Sequence, residues 1–318
     1  MEKQNSGISI VVPFLNESEG IDLFCRTIDA HAGKLDFPLE LVFVDDGSTD
    51  DTVEKQRRYQ FTAVSSARII RLSKNFGSHA AIRAGFQNAS YDICTWMGSD
   101  LQEPLEFLDL SWKKITEGYD AVYIDKKTVG VSAGNRMFSK MYSHMMQKYA
   151  ASSYSSGGTS VIVINKKIKD YVNENVESNS SIMLQIMDAG FKSCTLSLNF
   201  KERATGVSKW TLKKKIKLFI DSFVSFSFMP IRLVSLVGLL MFLAGIVIGI
   251  VAIVNKIVTP EAPMGYTTMI CFLALGFGIT NISLGIIAEY LWRAYDAARK
   301  RPVYIVTEVI GLIERDTL

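Results

Sequence analysis

The hydrophobic and polar positions divide the chain into two regions. As far as about residue 230, short apolar runs alternate with charged stretches, as in a globular protein. Two long uncharged runs follow, Leu233–Val254 and Ala262–Ala288. Each is longer than the roughly 20 residues that a helix needs to cross a bilayer. The pattern therefore predicts a soluble domain, followed by two transmembrane helices that we place within residues 231–292.

The soluble region shows the order of strands and helices that is typical of an α/β fold. Seven short apolar runs are predicted to be strands, and helix-like patterns separate most of them. This order favours a mainly parallel, Rossmann-like sheet with helices on both faces, in which ligands bind at the carboxyl ends of the strands. The predicted strands are Ile8–Phe14, Leu39–Asp46, Arg68–Ser73, Tyr91–Met97, Tyr119–Ile124, Thr159–Asn165 and Ser193–Phe200.

Polar residues follow the first two predicted strands. Asn16 is placed to cap the next helix, with Glu19 completing a capping box, and capping alone would explain Asn16. Ser48 is placed in the same way before the following helix. Asp45 and Asp46 are harder to explain by local structure. Carboxylates at this edge can accept hydrogen bonds from a nucleotide base and from ribose hydroxyls, and a turn with exposed acids is the alternative.

A further acid follows the fourth predicted strand. Asp100 stands where a carboxylate can hold Mg²⁺ or Mn²⁺ against a diphosphate. These cations prefer oxygen ligands and take most of them from phosphate and water. Gln102 could add a carbonyl oxygen, but Gln, Glu and Pro are also common at the start of a helix for local reasons. The sequence thus predicts a metal ligand at Asp100 and leaves the role of Gln102 open.

Composition and charge narrow the setting. Hydrophobic residues make up 48% of the 318 residues, which is high for a soluble protein and agrees with a membrane region. A net charge of +3 is too small to suggest nucleic-acid binding. The four cysteines have no spacing typical of a zinc site or a disulfide framework, which indicates a reducing, cytosolic setting. The polar first residues lead directly into a strand, so we expect no signal peptide.

Charges around the apolar runs predict an orientation. Basic residues precede the first run and follow the second, whereas the connecting loop holds only Lys256 and Glu261. By the positive-inside bias both termini are expected in the cytoplasm, at a bacterial inner membrane. Residues 209–230 alternate lysines with apolar side chains, which predicts an amphipathic interfacial helix; a helix packed on the soluble domain is the alternative. Residues 293–318 are interpreted as a cytosolic C-terminal tail.

Five sequence motifs occur in a fixed order. They are VVPFLNE at Val11–Glu17, VDDGSTD at Val44–Asp50, LSKNFG at Leu72–Gly77, DLQEP at Asp100–Pro104 and GVSKW at Gly206–Trp210. Together with the two C-terminal spans they resemble the inverting GT-A glycosyltransferases of family two. Within these the chain looks like the polyprenyl-phosphate glycosyltransferases related to dolichyl-phosphate mannose synthase and the bactoprenol glucosyltransferases. The resemblance covers nearly the whole chain, and five ordered motifs are far more specific than any one of them.

The resemblance implies a GT-A nucleotide-sugar-binding domain over residues 1–208 and a set of site residues within it. The residues implied to surround the nucleotide are Pro13, Asn16, Glu17, Asp45 and Asp46. Those implied to bind Mg²⁺ or Mn²⁺ and the diphosphate are Asp100 and Gln102. Those implied to lie near the phosphates at the membrane surface are Arg203, Ser208 and Lys209. For Arg203 and Lys209, ordinary solvated surface charge is the alternative.

The chain departs from the family pattern at two places. The family usually has Asp-x-Asp before the Leu-Gln pair, and here Gly98 replaces the first acid. It also usually carries an Asp and an Arg in the strand that here contains Ser160 and Ile162. Both departures remove charge from the expected centre. The residues that could substitute for the missing Arg are Lys126, Lys127, Arg136 and Lys140.

The resemblance implies the inverting transfer of a sugar, most simply from a UDP-hexose, to undecaprenyl phosphate or a similar polyprenyl phosphate. The product would serve cell-surface glycan modification or assembly. A phosphate monoester is already ionised near neutral pH, so the acceptor needs no strong general base. The alternative, motivated by the missing charges, is an inactive membrane-bound scaffold that binds nucleotide sugars. A processive polysaccharide synthase is a weaker hypothesis, because two spans leave no evident channel for a growing polymer. Small residues in the spans allow homo-oligomer packing.

Overall fold

A computed structural model describes residues 6–126, 159–176, 181–200, 229–258 and 265–315. These residues fall into two compact units. The first lies within Met1–Ser222 together with Pro302–Leu318, and the second lies within Phe223–Arg301. The first unit is therefore discontinuous in sequence, with the second inserted between its parts.

The first unit contains strands and helices in alternation. Its described strands are β1 Ile8–Phe14, β2 Leu39–Asp45, β3 Ser66–Leu72, β4 Ile93–Trp96, β5 Ala121–Lys126, β6 Thr159–Ile164, β7 Ser193–Leu198 and β8 Val306–Glu314. Its described helices are α1 Ile21–Ala32, α2 Thr52–Arg58, α3 Ser78–Gln87, α4 Glu106–Thr116, α5 Lys166–Glu174 and α6 Ile182–Asp188. Strands β1 to β7 each overlap one of the strands predicted from the sequence, to within about two residues at most ends.

The described strands form one sheet in the order β7-β5-β6-β4-β1-β2-β3-β8. Strands β6 and β8 run antiparallel to their neighbours, and every other adjacent pair is parallel. The predicted α/β class with a mainly parallel, GT-A-type sheet is thus confirmed. Since β4, β1 and β2 are adjacent and parallel, the loops that follow them meet at one edge of the sheet.

The core lies on both sides of the central strands. All seven residues of β2 are buried, as expected for a parallel strand covered on both faces. Helix α3 packs very closely on β1 through Gly85. A Cβ atom placed on Gly85 would stand 2.2 Å from Cγ1 of Val11, so only glycine allows this approach.

Strand β8 corrects the interpretation of residues 293–318 as a tail. Residues up to Ala298 continue the preceding helix, and Val306–Glu314 pairs antiparallel with β3. Ile310, Leu312 and Ile313 pack against the hydrophobic core. The run is rich in β-branched residues, which favour strands, and the partial burial of Ile310, Leu312 and Ile313 contributes to its order.

The second unit contains helices α7 Met229–Val258 and α8 Tyr266–Ala298. By length and composition, each is apolar enough to cross a membrane. Both extend beyond the predicted boundaries, since α7 takes in residues 229–230 and α8 continues past Ala288 through a polar stretch. There Nη2 of Arg293 lies 2.8 Å from Oε1 of Glu289, an ion pair at a spacing of four residues that supports an exposed helical turn.

Candidate active site

The loops after β1 and β2 form one hydrogen-bonded unit. The N–H of Asp46 donates to the carbonyl of Phe14 over 3.0 Å. The N–H of Asn16 donates to Oγ of Ser48 over 2.9 Å, and the N–H of Thr49 donates to Oδ1 of Asn16 over 2.8 Å. The structure therefore ties the loop that carries Asn16 to the turn that follows Asp45 and Asp46.

The predicted capping roles of Asn16 and Ser48 are wrong. Helix α1 begins only at Ile21 and α2 only at Thr52, and neither has a side-chain hydrogen bond at its N-cap. Asn16 instead adopts φ 52°, a left-handed conformation that Asn tolerates better than most residues. The two side chains bond to each other's loops rather than to a helix end, because the neighbouring strands bring those loops within reach.

Asp45 is buried, with 1% of its surface exposed, and its carboxylate already has two protein partners. Oδ1 accepts the N–H of Ser48 over 2.7 Å, and Oδ2 accepts Nε of Arg71 over 3.2 Å. A buried carboxylate requires such partners, since an unpaired charge there would be costly. Each carboxylate oxygen has two acceptor positions, so each has capacity for one further hydrogen bond.

Asp46 links the β2 turn to the loop before α3. Its Oδ1 accepts the N–H of Phe76 over 2.7 Å, and its Oδ2 accepts the N–H of Gly77 over 2.9 Å. Burial raises the pKa of this carboxyl and the charge of Asp45 adds to the rise, while the two N–H groups oppose it. Gly47 makes the approach possible, because it has φ 84° and a Cβ on it would stand 2.9 Å from the backbone N of Asn75.

Pro13 and Glu17 lie on the same unit. Pro13 is half-buried in β1 opposite Val44 of β2. The N–H of Glu17 donates to Oγ1 of Thr52 over 3.0 Å, which ties the β1 loop to the start of α2. The side chain of Glu17 is half-buried. All five residues expected around the nucleotide thus lie on the β1 and β2 ends, and their individual roles stay predictions.

The loop after β4 carries Asp100 and Gln102, both half-buried. The N–H of Met97 donates to the carbonyl of Val11 over 3.0 Å, so this loop starts beside β1. A Cβ placed on Gly98 would stand 2.9 Å from Oδ1 of Asp100. The carboxylate of Asp100 therefore occupies the space that a side chain at position 98 would need. The next residue, Leu101, has φ 54°, a strained conformation for this residue type that marks a constrained turn.

The donor groups of this loop fit a divalent cation that is shared with a diphosphate. Within the described residues, no three His, Cys, Asp or Glu side chains come together as a complete metal cage. Mg²⁺ and similar cations, however, are commonly held by one or two carboxylates, with phosphate and water completing the shell. A half-buried carboxylate at Asp100 and an amide oxygen at Gln102 match that chemistry.

The departures from the family pattern on β6 fall at different depths. Ser160 is half-buried, whereas the side chain of Ile162 is fully buried in the sheet. The carbonyl of Ile162 accepts Oγ1 of Thr95 over 3.1 Å. An apolar residue at this position belongs to the core.

Of the proposed replacements for the missing Arg, Lys126 ends β5 with its Nζ 5.9 Å from the ring centroid of Phe200. The predicted features that lie outside the described residues are Lys127, Arg136, Lys140, Arg203, Ser208, Lys209 and the interfacial helix up to residue 228.

The sequence did not indicate that Arg71 and Glu308 lie near the candidate site. Arg71 binds the buried carboxylate of Asp45, and its Nη1 lies 3.5 Å from Oε2 of Glu308 on β8. Arg71 lies within the predicted strand Arg68–Ser73, and no local pattern pairs it with Asp45. Glu308 lies far along the chain beyond two apolar runs, so no local pattern connects it with this edge of the sheet.

Comparisons with known proteins agree with this architecture. The model of the family "Glycosyl transferase family 2" matches residues 9–178, more than half of the chain. An undecaprenyl-phosphate 4-deoxy-4-formamido-L-arabinose transferase of Yersinia enterocolitica is 29% identical over 96% of this chain and 94% of its own length. The uncharacterized glycosyltransferase YkcC of Bacillus subtilis is 30% identical over the same two shares. A solved mannosyltransferase, PcManGT of Pyrobaculum calidifontis, aligns with TM-score 0.49 at 14% identity, over 92% of this chain and 88% of that one. On the family model and the YkcC match, the chain belongs to glycosyl transferase family 2.

Proposed function

We propose that this chain transfers a sugar from a nucleotide-diphosphate sugar to polyprenyl phosphate at the cytosolic face of a membrane. The observation that carries the proposal is the edge where the β1, β2 and β4 loops meet, in a chain that also holds two helices apolar enough to span a bilayer. The Yersinia enterocolitica relative, named for an undecaprenyl-phosphate acceptor, matches over 96% of the chain. That likeness includes the apolar helices as well as the soluble domain.

Donor binding follows from the acceptor groups at this edge. Asp45 and Asp46 are held in place by protein N–H groups, and we assign the further acceptor capacity of their carboxylates to the base and ribose. Asp100 and Gln102 would hold the diphosphate end through a divalent cation. Such a cation, when bound, neutralises negative charge that develops on the departing diphosphate. In this arrangement the nucleoside would bind at the β2 end and the reacting bond would lie near the β4 end.

The chemical step is a single displacement. An oxygen of the polyprenyl phosphate forms a bond to the anomeric carbon of the sugar, and the bond from that carbon to the diphosphate breaks. The nucleoside diphosphate leaves with the bonding electrons, and the anomeric configuration inverts. The acceptor oxygen is ionised near neutral pH, so the enzyme contributes chiefly by positioning both substrates and stabilising the leaving group.

Strand pairing supports a topology with both ends of the chain on one side. Strand β3 precedes the two apolar helices and β8 follows them, yet the two strands are hydrogen-bonded neighbours. A single crossing would separate them, so either both helices span the membrane or neither does. We propose that both span. Because nucleotide sugars are cytosolic, the domain and both termini would lie in the cytoplasm.

The direct test is incubation of the purified full chain with undecaprenyl phosphate, Mg²⁺ or Mn²⁺ and a panel of nucleotide sugars. The panel includes UDP-hexoses and a nucleotide derivative of 4-deoxy-4-formamido-L-arabinose. We expect a lipid-linked sugar from at least one donor, separated by extraction and mass spectrometry. Nucleotide binding without product from any donor would support the inactive scaffold instead.

A substitution at Asp100 tests the assignment of the cation site. Asp100→Ala should lower metal-dependent turnover by about a hundredfold or more, a loss similar to that of other groups that stabilise developing charge. The matched control is Asp170→Ala, which removes an exposed carboxylate on α5. Turnover and thermal unfolding are measured for both. Undiminished activity of the Asp100 variant would refute the assignment.

A further inference from the structure

The C-terminal strand β8 is connected to the donor edge by an ionic chain. Nη2 of Arg57 lies 3.1 Å from Oε1 of Glu308, and Nη1 of Arg71 lies 3.5 Å from Oε2 of the same residue. Nε of Arg71 in turn binds Oδ2 of Asp45 over 3.2 Å. One arginine thus bridges a carboxylate of the donor edge and a carboxylate that comes from beyond the second apolar helix.

The members of this chain differ strongly in exposure. The side chain of Glu308 is 46% exposed and that of Arg71 is 37% exposed, whereas Asp45 is almost fully buried. Ion pairs between exposed side chains contribute little to stability, since water screens them. The contact of Arg71 with buried Asp45 is the stronger one, because hydrogen bonds to buried charged groups contribute more. The effect of Glu308 is therefore exerted through Arg71.

Strand β8 also fixes the backbone around Arg71. Arg71 and Glu308 are direct cross-strand partners in the β3–β8 register. Oγ1 of Thr307 donates to the carbonyl of Arg71 over 3.1 Å. The N–H of Ser73 donates to the carbonyl of Ile305 over 2.9 Å. Ser73 begins the loop whose Phe76 and Gly77 N–H groups bind the carboxylate of Asp46. Strand β8 thus contacts Arg71 twice: Thr307 bonds its backbone carbonyl, and Glu308 pairs with its guanidinium.

We propose that Arg71 and Glu308 are positioning residues of the donor site. With the N–H of Ser48 on Oδ1 and Nε of Arg71 on Oδ2, the carboxylate of Asp45 is held in one orientation. Glu308 keeps the guanidinium in the position that this requires. The inference rests on the proposed function, because it assumes that Asp45 accepts hydrogen bonds from the donor nucleotide.

The test is calorimetric titration of UDP into the full chain in detergent, in the presence of Mn²⁺ and without acceptor. Glu308→Gln keeps the shape of the side chain and removes its charge, and we expect it to weaken UDP binding about threefold. Arg71→Gln should weaken binding about tenfold or more, because it leaves buried Asp45 with one partner fewer. The matched control is Glu314→Gln, which neutralises an exposed carboxylate on the same strand and should leave binding unchanged.

A double variant separates positioning from a general effect on β8. If Glu308 acts through Arg71, adding Glu308→Gln to Arg71→Gln should cause no further loss of UDP affinity. For Glu308→Gln, the donor KM in turnover assays should rise while the acceptor KM and the unfolding temperature stay at the wild-type value. Additive losses, or a Glu308→Gln variant with wild-type UDP affinity, would overturn the inference. If the wild-type chain itself fails to bind UDP or any other nucleotide, the proposed function fails first, and this inference with it.

Discussion

At the scale of single residues, Asp46 does two things at once. It orders the loop before α3 by accepting two backbone N–H groups, and it stands at the edge where we propose that the nucleotide binds. Only 6% of its surface is exposed, and this burial raises the pKa of the carboxyl. A group with this environment responds to pH in a range where an ordinary aspartate stays ionised.

We predict that nucleotide affinity falls on the acid side at a pH above the ordinary aspartate pKa of about 3.9. Because the pKa of Asp46 is raised, its carboxyl takes up a proton earlier as the pH falls and loses an acceptor position. Its effect on folding has the opposite sign. A raised folded-state pKa favours the folded chain below the unfolded pKa, and this contribution is lost as the pH rises through the folded pKa.

The measurement is UDP titration over a pH series, with the fraction of folded protein recorded at each pH. Asp46→Asn should bind more weakly near neutral pH and should lack this acid-side decline. Were the variant to keep the decline seen in the wild-type chain, the titrating group would have to be another residue.

At the scale of elements, helix α3 packs closely against strand β1 at Gly85. We predict that Gly85→Ala destabilises the domain by about 1–3 kcal/mol, the usual cost of overpacking a close contact. The added methyl would meet Cγ1 of Val11 at 2.2 Å and force the helix away from the strand. Denaturant unfolding of the α/β domain measures this change in the free energy of unfolding.

The control for this substitution is Gly33→Ala, where the nearest atom to a new Cβ is 3.4 Å away. A methyl there should change stability little. If the clash explains the effect at Gly85, adding Val11→Ala should recover part of the lost stability. An equal loss at Gly33 would point to glycine flexibility rather than to packing.

Seven strands could be predicted from the sequence because each is a short apolar run bounded by polar turns. Ordinary pattern rules failed where distant partners decide the structure. Asn16 and Ser48 carry strong capping signals, but each bonds to the other's loop across neighbouring strands. Strand β8 carries a local signal in its β-branched residues, but its place beside β3 is set by long-range pairing that no local pattern shows. Likewise, acids at strand ends indicated a candidate site whose residue roles stay predictions, whereas the ion pair of Arg71 with Asp45 depends on the sheet order, which the sequence does not show.

At the scale of the whole molecule, the pairing of β3 with β8 constrains membrane topology. We predict that a reporter enzyme fused after Leu318 reads cytoplasmic, and that one inserted between α7 and α8, within residues 259–264, reads external. The same reporters on a chain that lacks α8 provide the control, since one crossing should move the C-terminal fusion outside. An external signal from Leu318 in the intact chain would contradict the two-span topology.

Strand β8 also sets the order of events when the chain is made. A ribosome synthesises β8 only after both apolar helices, so the edge of β3 stays without its partner throughout their delivery to the membrane. An unpaired strand edge is a site of aggregation in nascent chains. The chain must therefore be made past both apolar helices before the sheet is complete at β3, and a chain that stops before Val306 would keep an open strand edge as a target for chaperones and proteases.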